Sequence, residues 1–459
     1  MRSRPFKASL LAVALLCVNW TLGGEPAKPP VFDLKPPAIP PAVPAATQPD
    51  RDSLLPTDSN FIVHEWGTFT SFSGSDGISL DFRTLVDSDL PGFVIDRPKQ
   101  AFLCERRDVA YTRGLASKGG IISRQRMETP VTYFYTDKER IVDVTVEFPK
   151  GLLTEFYPPV RQFGPTYKRN QPEQMDSSWL RWGKVRLLPM KQALEKNGVD
   201  PLIPPVKAGE GEHYAFARET DLAHIQITDP AMGNAYREKF LFYRGVGNFD
   251  LPVSLKDTGE GRFVLTHPGK TPMRFAFVVK AEGGRIRYAR YENLASSSEL
   301  SLPAESSTIE ALGDDMVRSL VGEGLYEKEA RAMVKTWRSS WFGEDGTRVL
   351  YALPQADTDR LLPLKIQPAP KETLRVMVGR LEILTAEQEQ RIAGLVVKLG
   401  AGDAEIRRQT AEEIRKLGRF AEPSLTRIAK VSEDPETQLA AKSLLREILV
   451  GKGVTPAAN

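Results

Sequence analysis

Between Asp58 and Leu384 the apolar residues fall in short runs with a two-residue repeat, broken by turns that contain glycine or proline. Sustained over most of a 459-residue chain, that spacing restricts the middle of the molecule to a largely pleated body. The first run is Phe61–Phe72, FIVHEWGTFTSF, dense in β-branched and aromatic residues. Alternation places Ile62, His64 and Trp66 on one face and Val63, Glu65 and Gly67 on the other. Thr129–Tyr135 and Ile141–Phe148 read as a hairpin with one solvated face, and Gly151–Tyr157 as a further strand. Trp179–Trp182 and Val185–Leu188 suggest a strand pair, followed by His213–Ala217, Ala223–Thr228 and Lys239–Arg244. Arg262–Thr266, Met273–Lys280, Arg285–Tyr291, Arg348–Leu353 and Leu374–Leu384 complete the set. The regular spacing predicts a sandwich- or barrel-like body over residues 58–384. It is interrupted near 306–340 by a helical insert, Ser306–Leu320 and Tyr326–Trp337.

At Thr385 the period changes from two to helical. Apolar stripes follow at Ile392, Leu395, Val396 and Leu399, then at Ile406, Thr410, Ala411, Ile414 and Leu417. Leu425, Ile428 and Ala429 form a third, and Leu439, Ala440, Leu444, Leu445, Ile448 and Leu449 a fourth. Four amphipathic helices in two pairs of about thirty residues are predicted over 385–450. The pattern carried by Leu399-Gly400, Arg408, Ala411, Leu417-Gly418, Ala421, Pro423, Leu425 and Asp434-Pro435-Glu436 resembles HEAT-like repeats. That resemblance implies a stacked helical module that binds protein partners and supplies no catalytic residues. A tail, 451–459, follows.

The N-terminus reads as an export leader over residues 1–24. Arg2, Arg4 and Lys7 precede the apolar run Ala8–Val18, and Gly23 and Gly24 offer a cleavage point. The apolar run is shorter than the roughly 20 residues of a spanning helix, so a retained signal-anchor is the second reading. Leu15 and Leu16 ahead of Cys17 depart from a lipidation signal. Residues 25–57 form a proline-rich linker expected to be extended. Of the two cysteines only Cys104 would survive cleavage, so the exported body is expected to hold together without an internal disulfide. The formal net charge of +3 gives no polybasic footprint, which argues against nucleic acid as a partner.

Chemistry is sparsely signposted. The chain has four histidines, His64, His213, His224 and His267, none at helical metal-site spacing, and no CxxC pair or GxSxG elbow. His64 and Glu65 are candidate catalytic residues. His64, His213 and His224 are candidate ligands for a divalent metal gathered from separate strands, with Glu65 or Glu212 completing a set that activates water. Trp66, Trp179, Trp182, Trp337 and Trp341 are candidates for a glycan platform or for core packing. The runs His64–Thr70, Met127–Val131 and Leu241–Gly245 resemble those of exported bacterial proteins that carry an HEWGTFT motif, a likeness that implies export and brings no activity. Two functions are therefore in view. One is an exported binding protein that takes a protein partner on its C-terminal helices. The other is a secreted hydrolase, metal-dependent or glycan-acting, using His64 and Glu65 with His213 and His224.

Overall fold

Strand β1 (Ile62–Ser73) lies inside the largest sheet of the protein. The computed structural model describes residues 61–84, 90–96, 122–165, 176–194, 200–228, 233–269, 271–399, 403–417 and 420–451. The leader, the linker, Cys17, Cys104 and the tail beyond Gly451 lie outside the described residues. The other long strands are β2 (Gln125–Tyr135), β3 (Arg140–Phe148), β4 (Gly151–Tyr157), β5 (Ser178–Leu188), β6 (His224–Thr228) and β7 (Ala235–Glu238). After these come β8 (Leu241–Gly247), β9 (Met273–Glu282), β10 (Arg285–Leu294), β11 (Gly346–Leu353), β12 (Leu364–Gln367) and β13 (Glu372–Ile383).

Ten strands form the main sheet, in the order β10-β9-β11-β13-β1-β2-β8-β4, with Ile95–Asp96 beyond β4 and Ser79–Leu80 folded back on the end of β1. Among the described residues its one parallel pair is β1 with β13, in unbroken register from Ile62 opposite Glu372 to Ser73 opposite Ile383. A six-stranded sheet runs β7-β6-β5-β3-β12, with Gln162–Gly164 beside β5. Ser254–Gly259, Arg262–Thr266 and Ser297–Ser301 form a third.

One apolar core joins the main sheet to the two smaller ones. Val63, Phe69, Tyr243, Val278 and Met377 meet Val144, Leu180, Val185 and Ile225 of the six-stranded sheet and Phe263 and Leu300 of the third. A second core lies on the opposite face of the main sheet. There Trp66, Tyr133, Phe242 and Phe277 pack against Leu312 and Met316 of helix α1 (Ile309–Gly322) and Met333 and Trp337 of helix α2 (Glu327–Arg338). The main sheet is therefore a middle layer, which is why β1, β4 and β8 are buried almost residue by residue.

This layering corrects three expectations. Thr129–Tyr135 and Ile141–Phe148 are not a hairpin. β2 joins the main sheet, whereas β3 pairs with β5 and β12. β2 carries large side chains on both faces, with Met127 and Phe134 in one core and Val131, Tyr133 and Tyr135 in the other. Only a middle layer satisfies that. β3 alternates, burying Val142, Val144 and Val146 while Ile141 is 57% exposed, as suits an outer sheet. The two runs around Trp179 and Val185 are one strand, kinked by a bulge between Arg181 and Gly183. His213–Ala217 is not a strand: Glu212–Phe216 is a short helix whose buried residue is Tyr214.

The C-terminal helices are α3 (Ala386–Leu399), α4 (Ala404–Lys416), α5 (Ala421–Val431) and α6 (Pro435–Gly451). Ile392, Val396, Ile414, Leu425, Ala441 and Leu444 make a third core together with Phe72, Leu80 and Phe82 from the body. Phe72 packs at a tilt against Phe82, ring centroids 4.8 Å apart, and meets Phe420 edge-on at 5.9 Å. Ile406 and Leu439, expected within the apolar stripes, are instead 43% and 69% exposed. Among the described residues, no helix is long and apolar enough to cross a membrane.

Candidate functional site

His64 and Glu65 are neighbours on β1 and point to opposite cores, as strand geometry requires. On the helical side, His64 is 1% exposed and its Nδ1 lies 2.8 Å from Glu329 Oε2. Glu329 sits in the first turn of α2. It accepts the Tyr326 backbone N–H at 2.8 Å and the Tyr135 hydroxyl at 2.7 Å. The Tyr326 ring lies 4.6 Å from the imidazole. Glu329 thus caps its own helix and tethers that helix to β1 and β2.

On the other side, Glu65 is fully buried in a row across four adjacent strands. Thr132 Oγ1 of β2 and Tyr243 OH of β8 donate to Oε1 at 2.9 and 2.7 Å. Arg375 Nε of β13, directly opposite in the parallel register, donates to Oε2 at 2.7 Å. Asp359 accepts from Arg375 Nη1 at 2.9 Å. Burial pulls the Arg375 guanidinium down, but Glu65, Tyr243 and Asp359 beside it together outweigh burial and hold it above its ordinary value. Burial, with Glu65 adding to it, pushes the Tyr243 hydroxyl well above its own.

The rest of the motif is equally occupied. Trp66 packs edge-on to Tyr133 at 5.9 Å, and Thr68 Oγ1 donates to the Val378 carbonyl at 2.7 Å. Thr70 Oγ1 donates to Glu128 at 2.9 Å. Gly67 lies in a bulge against Thr129-Pro130, where a Cβ would come within 2.9 Å of the Pro130 nitrogen. Only glycine allows that approach. The HEWGTFT stretch is where three layers are fastened together, and its charged side chains are spent on that fastening.

The remaining histidines have separate surroundings. His213 is half-buried on its short helix, its ring 6.2 Å from Trp337. His224 is fully buried on β6, its Nδ1 2.7 Å from Asp200 Oδ2. His267 Nε2 lies 3.3 Å from the Leu294 carbonyl. Among the described residues no three His, Cys, Asp or Glu side chains gather into a metal-binding group, and His64 and Glu65 do not converge. Trp66, Trp182, Trp337 and Trp341 are core residues rather than a platform.

His224 yields a pH prediction. Burial lowers its pKa below the ordinary 6.5, with Asp200 opposing. The unfolded chain therefore binds the proton more readily, and this contribution to stability is present above pH 6.5 and lost as pH falls toward the folded value. Urea titrations between pH 5 and 8 should show stability dropping on the acid side, and His224→Gln should flatten that drop. An identical slope in the variant would remove His224 as its source.

The accessible constellation lies elsewhere, where the end of β1 and its return strand face α5. A cleft of ≈ 660 Å³ is lined by Ile78, Leu80, Asp81, Ile122, Arg124, Arg427, Lys430 and Val431, among others. Ile78, Ile122 and Val431 are 57%, 47% and 66% exposed. Such large apolar side chains left in water together mark a contact surface. Ion pairs frame it. Arg427 reaches Asp76 at 3.1 Å, Arg124 reaches Asp250 at 2.9 Å, and Lys430 pairs with Asp81. The largely buried pair Arg83–Glu422, at 3.1 Å, fixes α5 to the body. Sequence reasoning missed this group because its members come from three distant stretches. The visible signal was Val431, an apolar residue outside the Leu425, Ile428 and Ala429 stripe. No protein-family model matches this sequence, and no curated protein matches it.

Proposed function

We propose that the protein is an exported binding protein whose partner docks in the cleft between the β-rich body and the C-terminal helices. The helices then act as a HEAT-like module capped on one side by the body, and the body as a sandwich-like support. The observation that carries this reading is the clustering of Ile78, Ile122 and Val431, exposed and lining one cleft. The outer residues Val397, Ile406 and Leu439 extend the apolar surface of the helices, as the open end of a short helical array would. By contrast, of the hydrolase candidates His64, Glu65 and His224 are buried, and His64 and Glu65 are engaged in holding the layers together.

A photo-crosslinking amino acid placed at Ile122 or at Val431 of the full chain in its native cells tests this. Both positions should capture one and the same discrete adduct. Ile141, exposed to a similar degree on the outer sheet, should capture none. Absence of an adduct at both cleft positions, or the same adduct at Ile141, overturns the proposal.

A further inference from the structure

We infer that the cleft's occupant is an acidic polypeptide segment in which aspartate or glutamate is interspersed with large aliphatic side chains. This rests on the binding reading above and adds the partner's chemistry to it. Four charged groups line the cleft, Arg124, Arg427 and Lys430 against Asp81, so the lining carries an excess of positive charge. The carboxylates that balance the two arginines, Asp250, Asp76 and Glu389, are not part of the lining. These are exposed ion pairs, each worth roughly 0–1 kcal/mol. Exchanging one for a partner's carboxylate therefore costs little.

The cations are also interleaved with the apolar groups. Ile122 and Arg124 flank the buried Ser123, and both line the cleft. Arg427, Lys430 and Val431 stand at helical spacing that puts them on one face of α5. Each wall thus offers an aliphatic side chain beside a cation. A ligand that satisfies both walls repeats an aliphatic group next to a carboxylate, which a polypeptide does along its length. A uniformly acidic ligand would leave Ile78, Ile122 and Val431 wet. An apolar ligand would strip water from Arg124, Arg427 and Lys430 without compensation.

The test uses the full chain and four fluorescein-labelled peptides built from the repeats Leu-Asp-Ser, Leu-Lys-Ser, Leu-Ser-Ser and Ser-Asp-Ser, read by fluorescence anisotropy. Leu-Asp-Ser should bind at least about tenfold more tightly than the other three, and more weakly as salt is raised. Arg427→Gln with Lys430→Gln should remove most of that preference, and Val431→Asp should weaken binding while thermal melts show both variants folded. Failure of Leu-Asp-Ser to bind overturns the inference. So does binding that neither variant changes, because the peptide then sits elsewhere. If Leu-Lys-Ser or Leu-Ser-Ser binds as tightly and Val431→Asp weakens it, the acidic chemistry is overturned while the cleft remains a binding site. The crosslinking result separates that outcome from failure of the cleft itself.

Discussion

Glu65→Ala should destabilise the protein by about 3–5 kcal/mol, the cost of stranding a buried charge. In the intact chain Arg375 is 3% exposed, and Glu65 is the buried carboxylate that answers its charge. Asp359, its other acidic partner, has a half-exposed side chain. Removing Glu65 also leaves the Tyr243 and Thr132 hydroxyls without their acceptor, each a further cost of about 1–3 kcal/mol if it finds no substitute. Because the four residues lie on four adjacent strands, the loss weakens the centre of the main sheet and both of its cores at once. Glu65→Gln should cost less, since its amide oxygen still accepts from Thr132 or Tyr243. The double change Glu65→Leu with Arg375→Met should recover much of the loss, because an apolar pair needs no charge balance. Urea denaturation of the three variants measures all of this. A single-variant loss below about 1 kcal/mol, or a double variant as unstable as Glu65→Ala, would show that the row is not held by its charge pair.

The opposed roles of His64 and Glu65 follow from local alternation and are readable from six residues of sequence. So are the faces of Val63 and Trp66, and the helices from Thr385 onward, whose period is unambiguous. What the sequence conceals is which runs pair. β1 and β13 are separated by about three hundred residues, and nothing in either one names the other. The hairpin expected at Thr136–Arg140 failed for the same reason. A short charged connection between two strands is compatible with pairing and equally with crossing from one layer to the next. Burial on both faces of β2 decides it, and that depends on elements far along the chain. The cleft was illegible for a related cause. Ile78, Ile122 and Val431 each look like an ordinary apolar residue near a turn or a helix end, and they acquire meaning only once three segments are brought together.

The second large effect is expected at Glu329. This carboxylate is fully buried and takes three contacts, from His64, the Tyr135 hydroxyl and the Tyr326 backbone N–H. Glu329→Ala removes all three, and the His64 ring and the Tyr135 hydroxyl left behind are buried. The expected loss is about 3–5 kcal/mol, built from unpaired buried groups at about 1–3 kcal/mol each and the lost helix cap at about 1 kcal/mol. Glu329→Gln keeps one oxygen and gains an N–H, so it can serve some of the donors but not all, and should fall in between. The decisive comparison is the pair His64→Phe with Glu329→Leu. If the His64–Glu329 contact ties α2 to β1, replacing both partners by apolar groups restores attachment, and the double variant is more stable than Glu329→Ala. Hydrogen exchange locates the effect: amides in the first turns of α2 should lose protection in Glu329→Ala before those of β1 or β13 do. Uniform loss across the sheet, with α2 no more labile than its neighbours, would mean that the helix is held by Trp337 and Met333 packing alone. The buried histidine would then be a passenger in that core.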